Sequence, residues 1–83
     1  MKLPHQRQVV LYSKADCHLC HEAKMKIERV RRRVGFQFQE VDITGDPELM
    51  AQYEWTVPVV SIDGRDALVS RVSEFRLLRA LLG

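Results

Sequence analysis

Tyr12-Ser13-Lys14-Ala15-Asp16-Cys17-His18-Leu19-Cys20 is the stretch on which the fold turns. Just upstream and overlapping it, Gln8-Val9-Val10-Leu11-Tyr12 is a short, apolar, β-branched run of the kind that forms a buried strand. Ser13 to Asp16 then reads as a polar loop. From Cys17 the period changes. Cys20, Ala23, Ile27, Val30 and Val34 recur at spacings of three and four, which puts them in one apolar stripe along a helix. The lysines and arginines between them point outward, and Gly35 suits the helix C-terminus. Cys17 therefore falls where a strand hands over to a helix.

The chain has two cysteines, and both lie in Cys17-His18-Leu19-Cys20. A disulfide across so short a segment closes too small a loop to staple a fold. In a reducing compartment such a pair is more often catalytic or metal-binding. The free N–H groups and the positive end of the helix dipole favour a thiolate at Cys17. Cys20 lies one turn further on the same face, where it can attack a mixed disulfide formed at Cys17 and release product. Lys14 and His18 add positive charge beside Cys17, and Asp16 opposes them. This spacing and position predict dithiol exchange, with Cys17 as nucleophile and Cys20 as resolving thiol.

Downstream, Phe36-Gln37-Phe38-Gln39-Glu40-Val41-Asp42-Ile43 is read as a second strand with one face on the core. Asp46-Pro47 opens a short helix with Leu49, Met50 and Tyr53 on its apolar side. Val57 to Ile62 makes a third strand, Asp63-Gly64 a two-residue hairpin turn, and Arg65 to Val69 a fourth strand. The last helix runs from Ser73 through Leu82, with Phe75, Leu78 and Leu82 turned to the core and Leu77 and Leu81 beside them. The order β-α-β-α-β-β-α predicts an α/β domain over residues 1–83: a four-stranded mixed sheet with three helices. Its first strand pair is parallel through a right-handed crossover and its last pair is a hairpin. This arrangement is thioredoxin-like.

Composition narrows the partners. An apolar fraction of 46% with 29% charged residues is that of a globular domain, which excludes disordered and fibrous classes. No run approaches the ~18 consecutive apolar residues of a membrane span. The N-terminal Met1-Lys2-Leu3-Pro4-His5-Gln6-Arg7-Gln8 has no apolar h-region, so the expected location is cytoplasmic. Net charge is only +2, and the dense cluster Arg29, Arg31, Arg32 and Arg33 is a solvated helix face without interleaved aromatics. Neither nucleic acid nor membrane is expected as a partner. Trp55 and Tyr12 flank the site in sequence, and packing is the ordinary reading of both.

Tyr12 to Cys20, followed by Thr56-Val57-Pro58, resembles a glutaredoxin, specifically a short glutaredoxin-like protein of bacterial type. The resemblance covers Val9 to about Leu82 in element order and spacing. It implies a cis Val57–Pro58 bond facing the two cysteines, Lys14 at a ligand carboxylate, and the Val57 backbone against the cysteinyl part of glutathione. From residue types alone, Pro58 reads as an ordinary trans proline at a strand start, so the cis bond is what the resemblance implies. The chain departs from the family at two places. His18-Leu19 stands where Pro-Tyr is typical, and Val69-Ser70-Arg71-Val72-Ser73-Glu74 carries neither the Gly-Gly turn nor the Asp that hold the γ-glutamyl end of glutathione. Arg71, Ser73 and the last helix's free N–H groups are left as the anion-binding groups there. The expected partners are therefore disulfide-bearing proteins or small thiols, with a dithiol reductant such as a thioredoxin system. Glutathione is at most a weak co-substrate, no cofactor is tightly bound, and the chain is expected to be a monomer.

Two rival readings use the same residues. Cys17-His18-Leu19-Cys20-His21 satisfies the c-type haem attachment pattern, which wants an exported protein and a second axial ligand. A zinc or copper(I) module would use Cys17, Cys20 and His18 or His21, but structural zinc takes four protein ligands and no second Cys/His pair exists.

Overall fold

The computed structural model describes residues 2–83. After a 3₁₀ turn at Pro4–Gln6 come β1 (Gln8–Ser13), α1 (His18–Val34), β2 (Gln37–Asp42), α2 (Pro47–Tyr53), β3 (Val59–Ile62), β4 (Arg65–Val69) and α3 (Glu74–Leu82). The strands lie in the order β2-β1-β3-β4. β1 and β2 are parallel, while β1–β3 and β3–β4 are antiparallel. The element order is the one expected, and so is the mixed sheet. Among the described residues no helix is long and apolar enough to cross a membrane.

The sheet separates two apolar clusters. Val9 and Leu11 of β1 and Val60 and Ile62 of β3 join Ala23, Ile27 and Val30 of α1 and Leu77 and Leu81 of α3 in the larger one. Val59 points the other way, to Ile43 and Tyr53, with Tyr12, Leu49 and Met50 packed around them. Successive strand residues alternate between faces, so one sheet serves both clusters. Ile27, Leu77 and Leu81 are fully buried. Truncating any of them to alanine would cost roughly 2–5 kcal/mol, a large share of the roughly 5–15 kcal/mol that holds a domain folded.

Two expectations about the core need correction. β2 does not keep one face on the core. Its apolar residues change phase at the polar pair Gln39-Glu40, so Phe36 and Phe38 join the larger cluster while Ile43 belongs to the smaller. The register explains why: Phe38 lies beside Val9, and Val41 beside Tyr12, on opposite faces of β1. In α3, Leu77 and Leu81 are the core residues, and Phe75 is 71% exposed, with Leu78 and Leu82 also turned outward. Val72 is buried just before the helix, and Ser73 caps it by accepting the Arg76 N–H at 3.1 Å. That start fixes the rotation. Leu77 and Leu81 fall roughly 40° apart over the sheet, while Phe75 and Leu82 fall roughly 100–160° from them.

The turns are set by residue chemistry. Asp63 and Gly64 both take positive φ, 52° and 84°, as a tight hairpin turn needs. The Asp63 carboxylate accepts from the Gln8 N–H at 2.9 Å and from Arg7 Nη1 at 2.8 Å. Arg7 also donates to the Leu81 and Gly83 carbonyls, at 3.3 and 2.9 Å. The Arg7 hydrogen bond is the main reason the Asp63 carboxyl titrates below the ordinary carboxylate range. One arginine thus ties β1, the hairpin and the end of α3 together at the pole of the sheet away from the cysteines.

Candidate functional site

β1 delivers the chain to Ser13, and a short loop carries it to Cys17, the N-cap of α1. Cys17 has extended φ, ψ of −116° and 104°, and its Sγ accepts the N–H of Cys20 at 3.1 Å. The two sulfurs are joined in a disulfide, with Cα atoms 5.2 Å apart. Cys17 is half-buried, whereas Cys20 is 2% exposed and sits at the head of the buried stripe of α1. The first turn of α1 contains no acidic residue, and Asp16 directly before the cap is the nearest carboxylate in the chain. His18, on the outer face, lies 3.7 Å from Glu22.

On one side of the disulfide a cavity of about 320 Å³ is lined by Ser13, Lys14, His21, Lys24 and Glu40 together with both cysteines. Lys14 is not a free cation pointing at Cys17. Its Nζ donates to the Glu54 carbonyl at 3.0 Å and stands 5.9 Å from the centre of the Trp55 ring. It therefore ties the cysteine loop to the turn that follows α2. Glu40 of β2 holds Lys24 at 3.0 Å, and this hydrogen bond is the first cause of the upward shift of the Lys24 ammonium. The Ser13 hydroxyl donates to the other oxygen of Glu40 at 3.0 Å.

Thr56-Val57-Pro58 is held from two sides. The Tyr53 carbonyl accepts the N–H groups of Thr56 and Val57 at 3.0 and 3.1 Å. The Thr56 carbonyl accepts the Ser70 hydroxyl at 2.8 Å, and the Pro58 carbonyl accepts the Ser70 N–H at 2.7 Å. The Val57–Pro58 peptide bond is cis. The Val57 N–H, expected to be open to a ligand, is instead engaged by Tyr53. Tyr53 is anchored in turn: its ring stacks on Tyr12 with centroids 4.5 Å apart, and its hydroxyl donates to Asp66 at 3.1 Å. Burial, then the Asp66 carboxylate, pushes the Tyr53 hydroxyl up to about 12. Tyr12 packs as expected, but Trp55 does not: it is 87% exposed.

Arg71 lies elsewhere. It lines a separate groove of about 470 Å³ with Leu19, Lys26, Val72 and Arg76, on the flank of α1 away from Lys14. Lys14 and Arg71 therefore do not line one cavity. Three residues of this neighbourhood escaped the sequence reading. Ser13 reads from sequence as a loop residue but is the last residue of β1, on the inward phase of Val9 and Leu11. Glu40 is a solvent-facing strand residue, and what its spacing does not show is its contact with Ser13 and Lys24. Ser70 takes the left-handed φ of 65° at the turn where the family carries glycine. The family's missing glycine was the one available sign of it. As for metal, among the described residues no three His, Cys, Asp or Glu side chains gather as ligands, and both thiols are bonded to each other.

The comparisons agree with this geometry. The family model described as a glutaredoxin-like domain (DUF836) matches residues 8–82. An uncharacterized protein of Mycobacterium tuberculosis, Rv0508, is 32% identical over 75 residues, covering 84% of this chain and 77% of that protein. The X-ray structure of protein XcR50 from X. campestris superposes with a TM-score of 0.71 at 36% identity, over 89% of this chain and 93% of that one. Oxidized mitochondrial thioredoxin 3 of Saccharomyces cerevisiae has a TM-score of 0.70, covering 94% of this chain and 78% of its own. At 13% identity that likeness shows the fold alone. With a thioredoxin fold, a disulfide-bonded cysteine pair at the head of α1 and a family match over nearly its whole length, the chain belongs to the glutaredoxin-like domain family.

Proposed function

We propose that the protein is a thiol–disulfide oxidoreductase in which Cys17 attacks and Cys20 resolves. The observation that carries this reading is the asymmetry of the pair. Cys17 caps α1 and is the more exposed, and Cys20 is buried behind it within bonding reach. A thiolate at Cys17 gains from the helix terminus and from the Cys20 N–H already directed at its sulfur. It attacks a substrate disulfide, expels one substrate thiolate and leaves a mixed disulfide. Cys20, as thiolate, then attacks the Cys17 sulfur and frees the second substrate thiol. An external dithiol returns the Cys17–Cys20 disulfide to the reduced form.

Disulfide-bearing proteins are the better substrate class than glutathione adducts. Trp55 and Leu19 offer exposed apolar surface on the elements around the disulfide. The cations that would hold the two ends of glutathione, Lys14 and Arg71, line different cavities, and Lys14 is already engaged by Glu54. A dithiol donor working in a reducing cytoplasm is the matching reductant. The test compares reduction of the Cys17–Cys20 disulfide by glutathione plus its reductase with reduction by a thioredoxin system, at equal protein. Faster reduction by the dithiol system is expected. Brisk glutathione-dependent turnover that falls in Arg71→Ala would assign the protein to glutathione chemistry instead. Failure of both donors would remove the oxidoreductase reading.

A further inference from the structure

The two cavities that flank the start of α1 differ in charge. The one of about 320 Å³ is balanced, with Lys14 and Lys24 set against Glu40 and Asp42. The Arg71 groove is not. Lys26, Arg71 and Arg76 line it against a single acid, Glu22, which already lies 3.7 Å from His18. Lys26 donates to the Val72 carbonyl at 3.1 Å, a neutral partner that leaves its charge uncompensated. Among the described residues neither Arg71 nor Arg76 pairs with a carboxylate. The chain as a whole carries only +2, so this excess is local.

The groove continues along the helix. Leu19, Ala23, Lys26, Val30 and Arg33 recur at spacings of four and three, so they lie on one side of α1. The first three line the Arg71 groove, and Val30 and Arg33 line a further cavity of about 220 Å³ with Phe75 and Leu78 of α3. Together they form one seam between α1 and α3. It begins two residues beyond Cys17, and its α1 wall from Leu19 to Val34 is roughly 22 Å long, room for about six extended residues. Ala23, Val30 and Val72 are buried in its floor, and Leu19 and Phe75 are exposed on its rim. Glu74, the acid of the second cavity, is held by Arg29 at 3.2 Å, and Arg33 pairs with no carboxylate among the described residues. A purely apolar segment laid in this seam would desolvate arginines without pairing them, and a basic one would be repelled. A segment carrying both acidic and apolar side chains satisfies the whole length.

We propose that the α1–α3 seam docks an extended acidic segment of a substrate protein, next to that protein's disulfide. Carboxylates of the segment meet Arg71, Arg76 and Arg33, whose planar guanidinium groups suit two-point pairing with a carboxylate. An apolar side chain of the segment packs against Phe75 and Leu78. This rests on the exchange reaction proposed above and names its substrates: proteins whose reactive cysteine is flanked by acidic and apolar residues. Docking adds no chemical step. It raises the encounter rate and holds the substrate sulfur near Cys17, because the seam starts on the same helix two residues further on. A small thiol reaches only the Leu19 end and gains little from it.

The test uses the full reduced chain and three short peptides that differ only beside a single cysteine blocked as a 2-thiopyridyl disulfide. One carries aspartate, glutamate and leucine there, the second glutamine and leucine, the third lysine and leucine. Attack by Cys17 expels thiopyridone, whose absorbance is followed in a stopped-flow instrument. At low salt the acidic peptide should react at least about tenfold faster than the lysine peptide, with the neutral one between, and added salt should narrow the gap. In the double variant Arg71→Glu, Arg76→Glu the order should invert. The ratio of rates is the readout, so any change at the cysteine pair itself cancels. Phe75→Ala should slow the acidic peptide that carries leucine but not its serine counterpart. Equal rates for the three peptides, or a ratio that charge reversal leaves unmoved, would overturn the proposal. Binding to phosphatidylglycerol vesicles without any peptide preference would overturn it too and assign the seam to a lipid surface. Failure of every peptide to react would overturn the exchange reading itself, and this proposal with it.

Discussion

The N-termini of α1 and α3 are built to one plan. At α1 the Cys17 Sγ accepts the N–H of the residue three positions on at 3.1 Å, and at α3 the Ser73 Oγ does the same at 3.1 Å. Both caps are in extended conformation, with φ, ψ of −116°, 104° and −125°, 154°. The atoms differ. A serine oxygen satisfies an orphan donor and contributes stability, and nothing more follows from it. A cysteine sulfur in that place can carry a full negative charge where the helix favours one, and it can form a covalent bond. The third residue differs too: Cys20 is a buried thiol within bonding reach, whereas Arg76 is exposed. α3 also carries Glu74 in its first turn, paired with Arg29 at 3.2 Å, while α1 has no acid there. A common capping device becomes a reactive centre when its acceptor atom, its partner and its local charge change together.

The comparison can be broken at its reactive half. Cys17→Ser should abolish disulfide exchange completely while keeping a capping oxygen. In the reduced state it should melt close to the parent, and Cys17→Ala should lose about 1 kcal/mol more. A large stability loss in Cys17→Ser would mean that the cysteine is structural first. The next effect is a gain. In a Cys17→Ser, Cys20→Ser background, Ser73→Cys places the only thiol at the second cap. Iodoacetamide should label it at a lower pH than it labels a cysteine in an unfolded peptide, though no intramolecular disulfide forms. Labelling at the peptide's own pH would show that the cap geometry alone does not favour a thiolate.

Removal of the cap at the quieter end is a smaller change. Ser73→Ala should cost about 1 kcal/mol, read as a drop in melting temperature of roughly 4–8 °C for a domain of this size. Exchange should be unaffected. The smallest effect belongs to the pole far from the cysteines. Arg7 and the Gln8 N–H lower the Asp63 carboxyl below its ordinary value of 3.8 in the folded state. Its contribution is therefore present above that value and lost as pH falls through the lower folded value. Asp63→Asn keeps a residue that tolerates positive φ but removes the charge. It should be less stable than the parent at neutral pH, and thermal melts should converge in strong acid.

Much of this was legible beforehand, for physical reasons that differ from element to element. The change from strand to helix at Cys17, the Gly35 terminus, the Asp46-Pro47 helix start and the Asp63-Gly64 turn are local, because each depends on residue types within a few positions. The phase of α3 was not, because both Leu77–Leu81 and Phe75–Leu78–Leu82 are acceptable stripes on nine residues. Only the buried Val72 and the position of the Ser73 cap choose between them. The two-faced character of β2 was readable in the doubled polar pair Gln39-Glu40, but its meaning depends on pairing with β1. The Ser13–Glu40 contact joins residues 27 apart, and no periodicity signals a pair of that kind. Ser70 stood out as a departure from the family before its φ of 65° showed that it reproduces the turn.

The division of labour between Cys17 and Cys20 is tested most directly by trapping. Reduced Cys20→Ser protein is mixed with a peptide disulfide, quenched in acid and mapped by mass spectrometry. A single stable mixed disulfide at Cys17 is the expected product, and the matching experiment with Cys17→Ser should trap little or nothing at Cys20. Efficient trapping at Cys20, or none at Cys17, would contradict the account.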